Sequence, residues 1–344
     1  MKIGLMYLDV TNLGDVIIYE TSKYLIDRII SDDNMTDIEI VPIPIDCSAD
    51  KFKPNFFTRL RYLCFRIRNK VFSIDYKKCS EETTLKYWYR TPAYQCFNKV
   101  VKPKIESSDK LVFSGGGLIK FHRQNFHLLI HEIVKVASNN NIPIYFSAVG
   151  IEGYDIADAR CRILKNAINN KIVKSISTRD DIESLNSNYI NNDNIKTLLV
   201  ADSAFWIKET YNIHPKKTSD KNVGLSLIRP DIFREYLYDV SEDALTKLYR
   251  DLILLLLTNN YKVTLFTNGS KRDTNYLNNF VSLNPDLAIN IEERYMTAKD
   301  LVNGINKFDM IITARLHASI ISFSLNIPCI GLVWNTKQLL LGRT

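Results

Sequence analysis

The chain predicts an α/β protein built as two Rossmann-like domains facing across a cleft, and three observations carry that expectation. Short apolar runs alternate with amphipathic helical stretches, the pattern of strands and helices in parallel layers. The alternation occurs twice, on either side of the polar, proline-containing stretch 212–221, which reads as a linker. The 344 residues suffice for two domains of ordinary size. The expected domains are 1–212 and 221–344.

In the first half, residues 2–8 read as a strand, and the loop from Thr11 to Asp15 opens a helix over about 16–31. Residues 38–45 read as a second strand. Residues 110–113 are a buried strand that ends in Ser114, Gly115, Gly116 and Gly117. A helix at 125–140 leads to a strand at 143–148, and a helix at 156–170 leads to strand residues 173–176. In the second half, strands at 222–227, 262–266, 309–313 and 329–333 alternate with helices at 241–259, 271–283, 298–306 and 317–326.

Residues 51–80 differ from this background. They hold nine Lys or Arg and one acid, Asp75. Phe56, Leu60, Leu63, Ile67 and Val71 recur at helical spacing, so a basic amphipathic helix is expected in an insertion of about 51–105. It reads either as a helix packed on its domain with a solvated basic face, or as a surface that docks on an anionic membrane or a lipid-linked acceptor.

A hydrophobic content of 46% and a charged content of 24% describe a soluble globular chain. No window reaches the ~18 apolar residues of a membrane span. The run Leu252 to Leu257 reads as a buried helix segment. Lys2 to Leu8 meets Asp9 before a secretory leader forms, so a cytoplasmic location is expected. Peripheral contact with the inner face of the plasma membrane would run through 51–80. The net charge of +7 favours an anionic ligand, and no aromatic-basic module points to nucleic acid. The six cysteines are scattered, so neither a zinc site nor a disulfide framework is expected, and no other metal is.

Four groups of residues fall where a strand hands over to the next element. Asn12, Gly14 and Asp15 follow the first strand, and Gly115, Gly116 and Gly117 follow the strand at 110–113, each before an expected helix. Arg229 follows the strand at 222–227, and Arg315 and His317 follow the strand at 309–313. Carboxyl ends of parallel strands share one sheet edge, where ligands bind, and helix N-termini there favour anions. Glycines allow close approach of backbone to a ligand or a tight turn. Asn12 to Asp15 also fit a plain helix cap, and Arg229 fits a surface charge. Arg315 and His317 stand between two apolar elements, where they need an anion, an acceptor or a salt bridge.

These residues resemble the polysaccharide pyruvyl transferase family. The resemblance rests on Asn12-x-Gly14-Asp15, Ser114-Gly-Gly-Gly117, Ser177-Thr-Arg179-Asp180, Ala201-Asp202-Ser203, Ser226 with Arg229, and above all Thr313-Ala-Arg315-Leu-His317-Ala with Pro328 downstream. It implies a GT-B-like fold with the active site in the inter-domain cleft, an acceptor-side first domain and a donor-side second domain. It implies phosphoenolpyruvate as co-substrate, no cofactor, and a pyruvate ketal formed on two hydroxyls of a glycan or lipid-linked oligosaccharide in surface or exopolysaccharide synthesis. Arg229, Arg315 and Ser226 would bind the donor, since guanidinium forks suit phosphate and carboxylate. His317 would be the general acid, because an imidazole titrates near ~6.5. Asp15 would be a base or positioning group, and Asn12, Gly14 and Gly115 to Gly117 would form acceptor-side loops. A nucleotide-sugar glycosyltransferase of the same architecture and a non-catalytic glycan-binding relative are the alternatives.

Overall fold

The computed structural model describes residues 1–8, 12–45, 55–71, 78–120, 126–216, 220–235, 238–334 and 339. Thr11 of the first loop and Lys51, Lys53 and Lys77 of the basic stretch lie outside the described residues. The chain divides into two compact units, residues 1–9 with 22–202, and residues 10–21 with 203–344.

The first unit is built on β1 (Lys2–Tyr7), the later part of α1 (Leu13–Asp32) and β2 (Glu39–Pro44). The basic stretch follows as α2 (Phe56–Val71), then α3 (Glu81–Trp88), α4 (Pro92–Cys96) and α5 (Lys102–Glu106). Ser80 and Thr91 cap α3 and α4 through their side-chain oxygens, which accept from Thr83 N and Tyr94 N. The remaining elements are β3 (Lys110–Phe113), β4 (Gly116–Lys120), α6 (Phe126–Asn139), β5 (Ile144–Glu152), α7 (Ala159–Ile168), β6 (Val173–Thr178), α8 (Ile182–Ser184) and β7 (Lys196–Leu199). The strands form one parallel sheet in the order β2-β1-β3-β5-β6-β7, with β4 also on β5. Its inner strands read as apolar runs because helices cover both faces; Phe113 and Phe146 stack across neighbouring strands at 4.2 Å.

The triple glycine does not open a helix, as the sequence suggested. β5 is nine residues long and outruns β3. Residues 111–113 pair with 144–146, and β4 then continues along the same edge, Gly116 opposite Val149 and Lys120 opposite Glu152. Gly115 and Gly116 make the offset with φ of 95° and 84°, a left-handed backbone that side chains rarely adopt. A further difference concerns Cys96, which is disulfide-bonded; scattered spacing argues against a framework but does not anticipate a single bond.

The second unit continues through α9 (Ile207–Tyr211), β8 (Asn222–Ser226), α10 (Asp231–Glu235), α11 (Glu242–Thr258), β9 (Lys262–Phe266), α12 (Lys271–Leu283) and β10 (Asn290–Ile291). It closes with α13 (Ala298–Ile305), β11 (Met310–Thr313), α14 (Leu316–Ser324) and β12 (Cys329–Gly331). Its parallel sheet runs β10-β9-β8-β11-β12. Ser241 caps α11, and Thr297 with Asp300 forms a capping box on α13. The Leu252–Leu257 run of α11 is only partly buried: Ile253 and Leu256 face the core, while Leu254 and Leu255 are exposed.

The division differs from the expected one at residues 10–21 and 203–212. Leu13 and Ile17 of α1 and Ala204 and Ile207 near α9 join a core with Leu301, Ile305 and Ile320 of the second unit. Ser203 Oγ donates to the Ile18 carbonyl at 3.3 Å, and Tyr211 Oη donates to Glu20 at 2.5 Å. The helix expected from about residue 16 starts at Leu13, so its first turns supply this packing. Among the described residues no helix is long and apolar enough to cross a membrane.

Candidate functional site

The carboxyl edge of the second sheet gathers most of the residues singled out in the sequence. β9, β8 and β11 are neighbours in register, so Phe266, Ser226 and Thr313 end side by side. The loops beyond them carry Asn268, Arg229 and Arg315. Asp273, in the first turn of α12, binds both arginines. Its carboxylate accepts from Arg229 Nη1 at 2.8 Å and from Arg315 Nη2, and the Asp273 side chain is fully buried. Arg229 is therefore not a surface charge; its side chain is 15% exposed. The salt bridge that could have explained Arg315 is present, yet it does not exhaust the cluster. Asp231, largely exposed, stands 4.0 Å from Arg229 Nε, so the two guanidinium groups face one buried and one exposed carboxylate. The Nε atoms of Arg229 and Arg315 are buried and meet no hydrogen-bond partner among the described residues.

Other polar atoms at this edge are in the same condition. Ser226 Oγ and the Asn268 side-chain oxygen are buried and make no hydrogen bond among the described residues. Buried polar groups are normally satisfied, so a cluster of orphans at a strand edge marks a place for a polar ligand. Backbone anchoring comes from Tyr249, whose hydroxyl accepts from Ile228 N at 3.2 Å, just before Arg229. Burial pushes the Tyr249 phenol well above its ordinary range, so it stays a neutral anchor.

β11 ends at Thr313, whose Oγ1 accepts from Arg315 N at 2.9 Å. The Trp334 indole donates to the Ala314 carbonyl at 2.7 Å. Arg315 is the N-cap residue of α14, and His317 lies in that helix's first turn, 9% exposed. The imidazole rests on Gly14 at the start of α1. A Cβ at Gly14 would stand 2.2 Å from His317 Nδ1, so only glycine allows this approach. Asn12 does cap α1: its Oδ1 accepts from Gly14 N at 3.2 Å, and its Nδ2 donates to Asp15 at 2.9 Å. Asn12, Gly14 and Asp15, expected on the acceptor side, thus belong with His317 and the arginines in the second unit.

Gly115, Gly116 and Gly117 belong to the first unit, which has a cluster of its own at the end of β5 and β6. A Cβ on Gly150 would lie 3.4 Å from the Gly116 carbonyl and 3.2 Å from Asp180 Oδ2. Asp180 Oδ1 accepts from Ile151 N at 2.8 Å and from Thr178 Oγ1 at 2.9 Å. Arg179 pairs with Asp202 in a buried ion pair. Sequence reasoning gave no role to Asp273, Asn268 or Tyr249. Asp273 looked like an ordinary acid at a helix start, and its pairing spans 42 and 44 residues of sequence.

A family model described as polysaccharide pyruvyl transferase matches residues 12–336. No curated protein matches the chain. Solved structures share its fold. The UDP-GlcNAc 2-epimerase of Neisseria meningitidis bound to UDP-GlcNAc is 10% identical, with a TM-score of 0.55 over 98% of this chain and 84% of that one. The UDP-GlcNAc 2-epimerase of Methanocaldococcus jannaschii is 14% identical, with a TM-score of 0.51 over 100% of this chain and 92% of that one. At such identity they speak to fold alone, which is α/β and GT-B-like.

Proposed function

The chain belongs to the polysaccharide pyruvyl transferase family, and on that premise we propose that it moves pyruvate from phosphoenolpyruvate onto two hydroxyls of a glycan as a ketal. The observation that carries the reading is the Arg229–Asp273–Arg315 cluster, two guanidinium groups on one buried carboxylate whose Nε atoms make no hydrogen bond among the described residues. Phosphoenolpyruvate carries a phosphate and a carboxylate on the same carbon of one small molecule. Two guanidinium groups fixed by a shared carboxylate suit such a dianionic ligand, because each presents planar donors at little entropic cost. Ser226 Oγ and Asn268 add neutral polar contacts at the same edge.

In this reading His317 donates a proton to the methylene carbon, which becomes the methyl group. An acceptor hydroxyl attacks the adjacent carbon, and Asp15 takes or orients its proton. The second hydroxyl then bonds to that carbon as phosphate leaves and takes that hydroxyl's proton. The acceptor is a glycan or lipid-linked oligosaccharide of surface or exopolysaccharide synthesis, and the protein works in the cytoplasm. Phosphoenolpyruvate enters as a co-substrate and no further cofactor has a role. The glycine run of the first unit serves the acceptor.

Phosphate release with phosphoenolpyruvate and a panel of β-galactosides, mannosides and lipid-linked glycans tests the reading. Turnover is expected with at least one acceptor. His317→Ala is expected to lose about 10²-fold or more in turnover and to keep donor binding. Arg315→Ala is expected to weaken donor binding about 10- to 100-fold by calorimetry. Full turnover in the histidine variant removes its assigned role, and unchanged affinity in the arginine variant does the same for Arg315. Consumption of a nucleotide sugar with no use of phosphoenolpyruvate would give the site to glycosyl transfer.

A further inference from the structure

α2 turns its apolar side away from the protein. Phe56 and Phe57 are 71% and 74% exposed and Ile67 is 56% exposed, with Leu60 and Leu63 about half exposed. Phe56, Leu60, Leu63 and Ile67 follow one another at steps of four, three and four residues, so they form a single stripe. Among the described side chains of α2, Thr58 and Tyr62, away from the stripe, are half-buried. The reading of this helix as packed on its domain through its apolar face is therefore overturned. Arg59 and Arg66 flank the stripe on one side and Phe57 and Cys64 on the other, all exposed, and no carboxylate lies between 55 and 71. A contiguous apolar patch of this kind calls for a partner. An apolar stripe bordered by arginines, on a helix without a carboxylate, is complementary to an anionic bilayer, in whose surface such a helix lies flat.

We propose that α2 lies in the surface of an anionic membrane, apolar stripe inward. This goes beyond the transferase reading and does not rest on it.

Flotation of the full-length protein with vesicles of phosphatidylcholine, alone or with about one third phosphatidylglycerol, tests it. Binding is expected only to the anionic vesicles, weakening as salt rises, because each cation near such a surface contributes about fivefold to partitioning. The triple variant Arg59→Gln, Arg61→Gln, Arg66→Gln should lose on the order of 100-fold. Leu63→Glu with Ile67→Glu should abolish binding even at low salt, at an unchanged melting temperature, since these side chains are solvent-exposed. Three results overturn the proposal: no binding of the wild type to anionic vesicles, stripe variants that bind like the wild type, or a lipid-free dimer that Leu63→Glu with Ile67→Glu dissolves. Transfer to a soluble acceptor should be unaffected in all these variants, so failure here and failure of the transferase reading are separable.

Discussion

No side chain fits at position 14, and the reason is the imidazole of His317. Glycine in the first turn of a helix costs about 1 kcal/mol relative to alanine, so a helix of its own would favour Gly14→Ala. The contact reverses that preference, because a Cβ would stand 2.2 Å from Nδ1 and 2.5 Å from Cγ. We expect Gly14→Ala to displace the ring and to lower turnover at least tenfold. In a His317→Ala background only the contact with the histidine Cβ, at 3.0 Å, remains. The alanine at 14 should then cost less stability there than in the wild type. Equal changes in melting temperature in the two backgrounds would show that the ring is not what excludes a side chain. Arg315, His317 and Gly14 were legible in the sequence as residues out of place for their surroundings. Asp273 was not, because an acid at a helix start is ordinary on local grounds, and only the fold brings it between two arginines.

Elements were legible where an apolar run or an amphipathic period is bounded by polar turn residues. β3, β9 and α12 have the bounds that their apolar patterns suggest. β4 was missed because its strand character comes from the length of its neighbour, β5, which no local pattern records. The short helices α3 to α5 were absorbed into an unassigned insertion for a similar reason: each is short enough that its caps and tertiary packing, rather than propensity, define it. α6 shows what tertiary packing can impose on a helix. Glu132 is buried there, and burial pushes its carboxyl above the usual carboxylate range despite attraction to Lys135. A carboxyl whose folded pKa is raised binds its proton more tightly in the fold than in the unfolded chain. It therefore costs nothing below the ordinary value near ~4.3, and stability falls as pH rises from there through the folded value. Glu132→Gln removes that loss. The difference in melting temperature, variant minus wild type, should move in the variant's favour between pH 4 and pH 8. A difference independent of pH would contradict the burial of this charge.

At the scale of the whole molecule the chain makes two cores, and the linker does not decide which residues join which. One core lies in the first unit, around Phe113, Phe146, Ile144 and Ile176. The second unit holds clusters on its own sheet, one of which recruits Leu13 and Ile17 from near the N-terminus. This places the start of α1 beside His317, from residues some 300 positions away in sequence. Ile17 is fully buried, and truncating such a side chain to alanine costs about 2–5 kcal/mol. Ile17→Ala should lose hydrogen-exchange protection first in β8, β11 and α14 of the second unit. Protection lost first in β3 and β5 would assign the start of α1 to the other core.

The sequence by itself determined the two-fold α/β alternation, the parallel character of the strands and the Arg315-x-His317 element. These follow from period and polarity, which local residues encode. It also marked α2 as basic and amphipathic. Only the tertiary structure decided which way the apolar stripe of α2 faces, which carboxylate holds the two arginines, and which unit owns the first turns of α1. Each of these depends on contacts between segments far apart in the chain. An amphipathic pattern is satisfied equally by a core or by a membrane surface, and an acid at a helix start is stable with or without a distant partner. Where local physics permits several outcomes with similar free energy, packing between elements makes the choice.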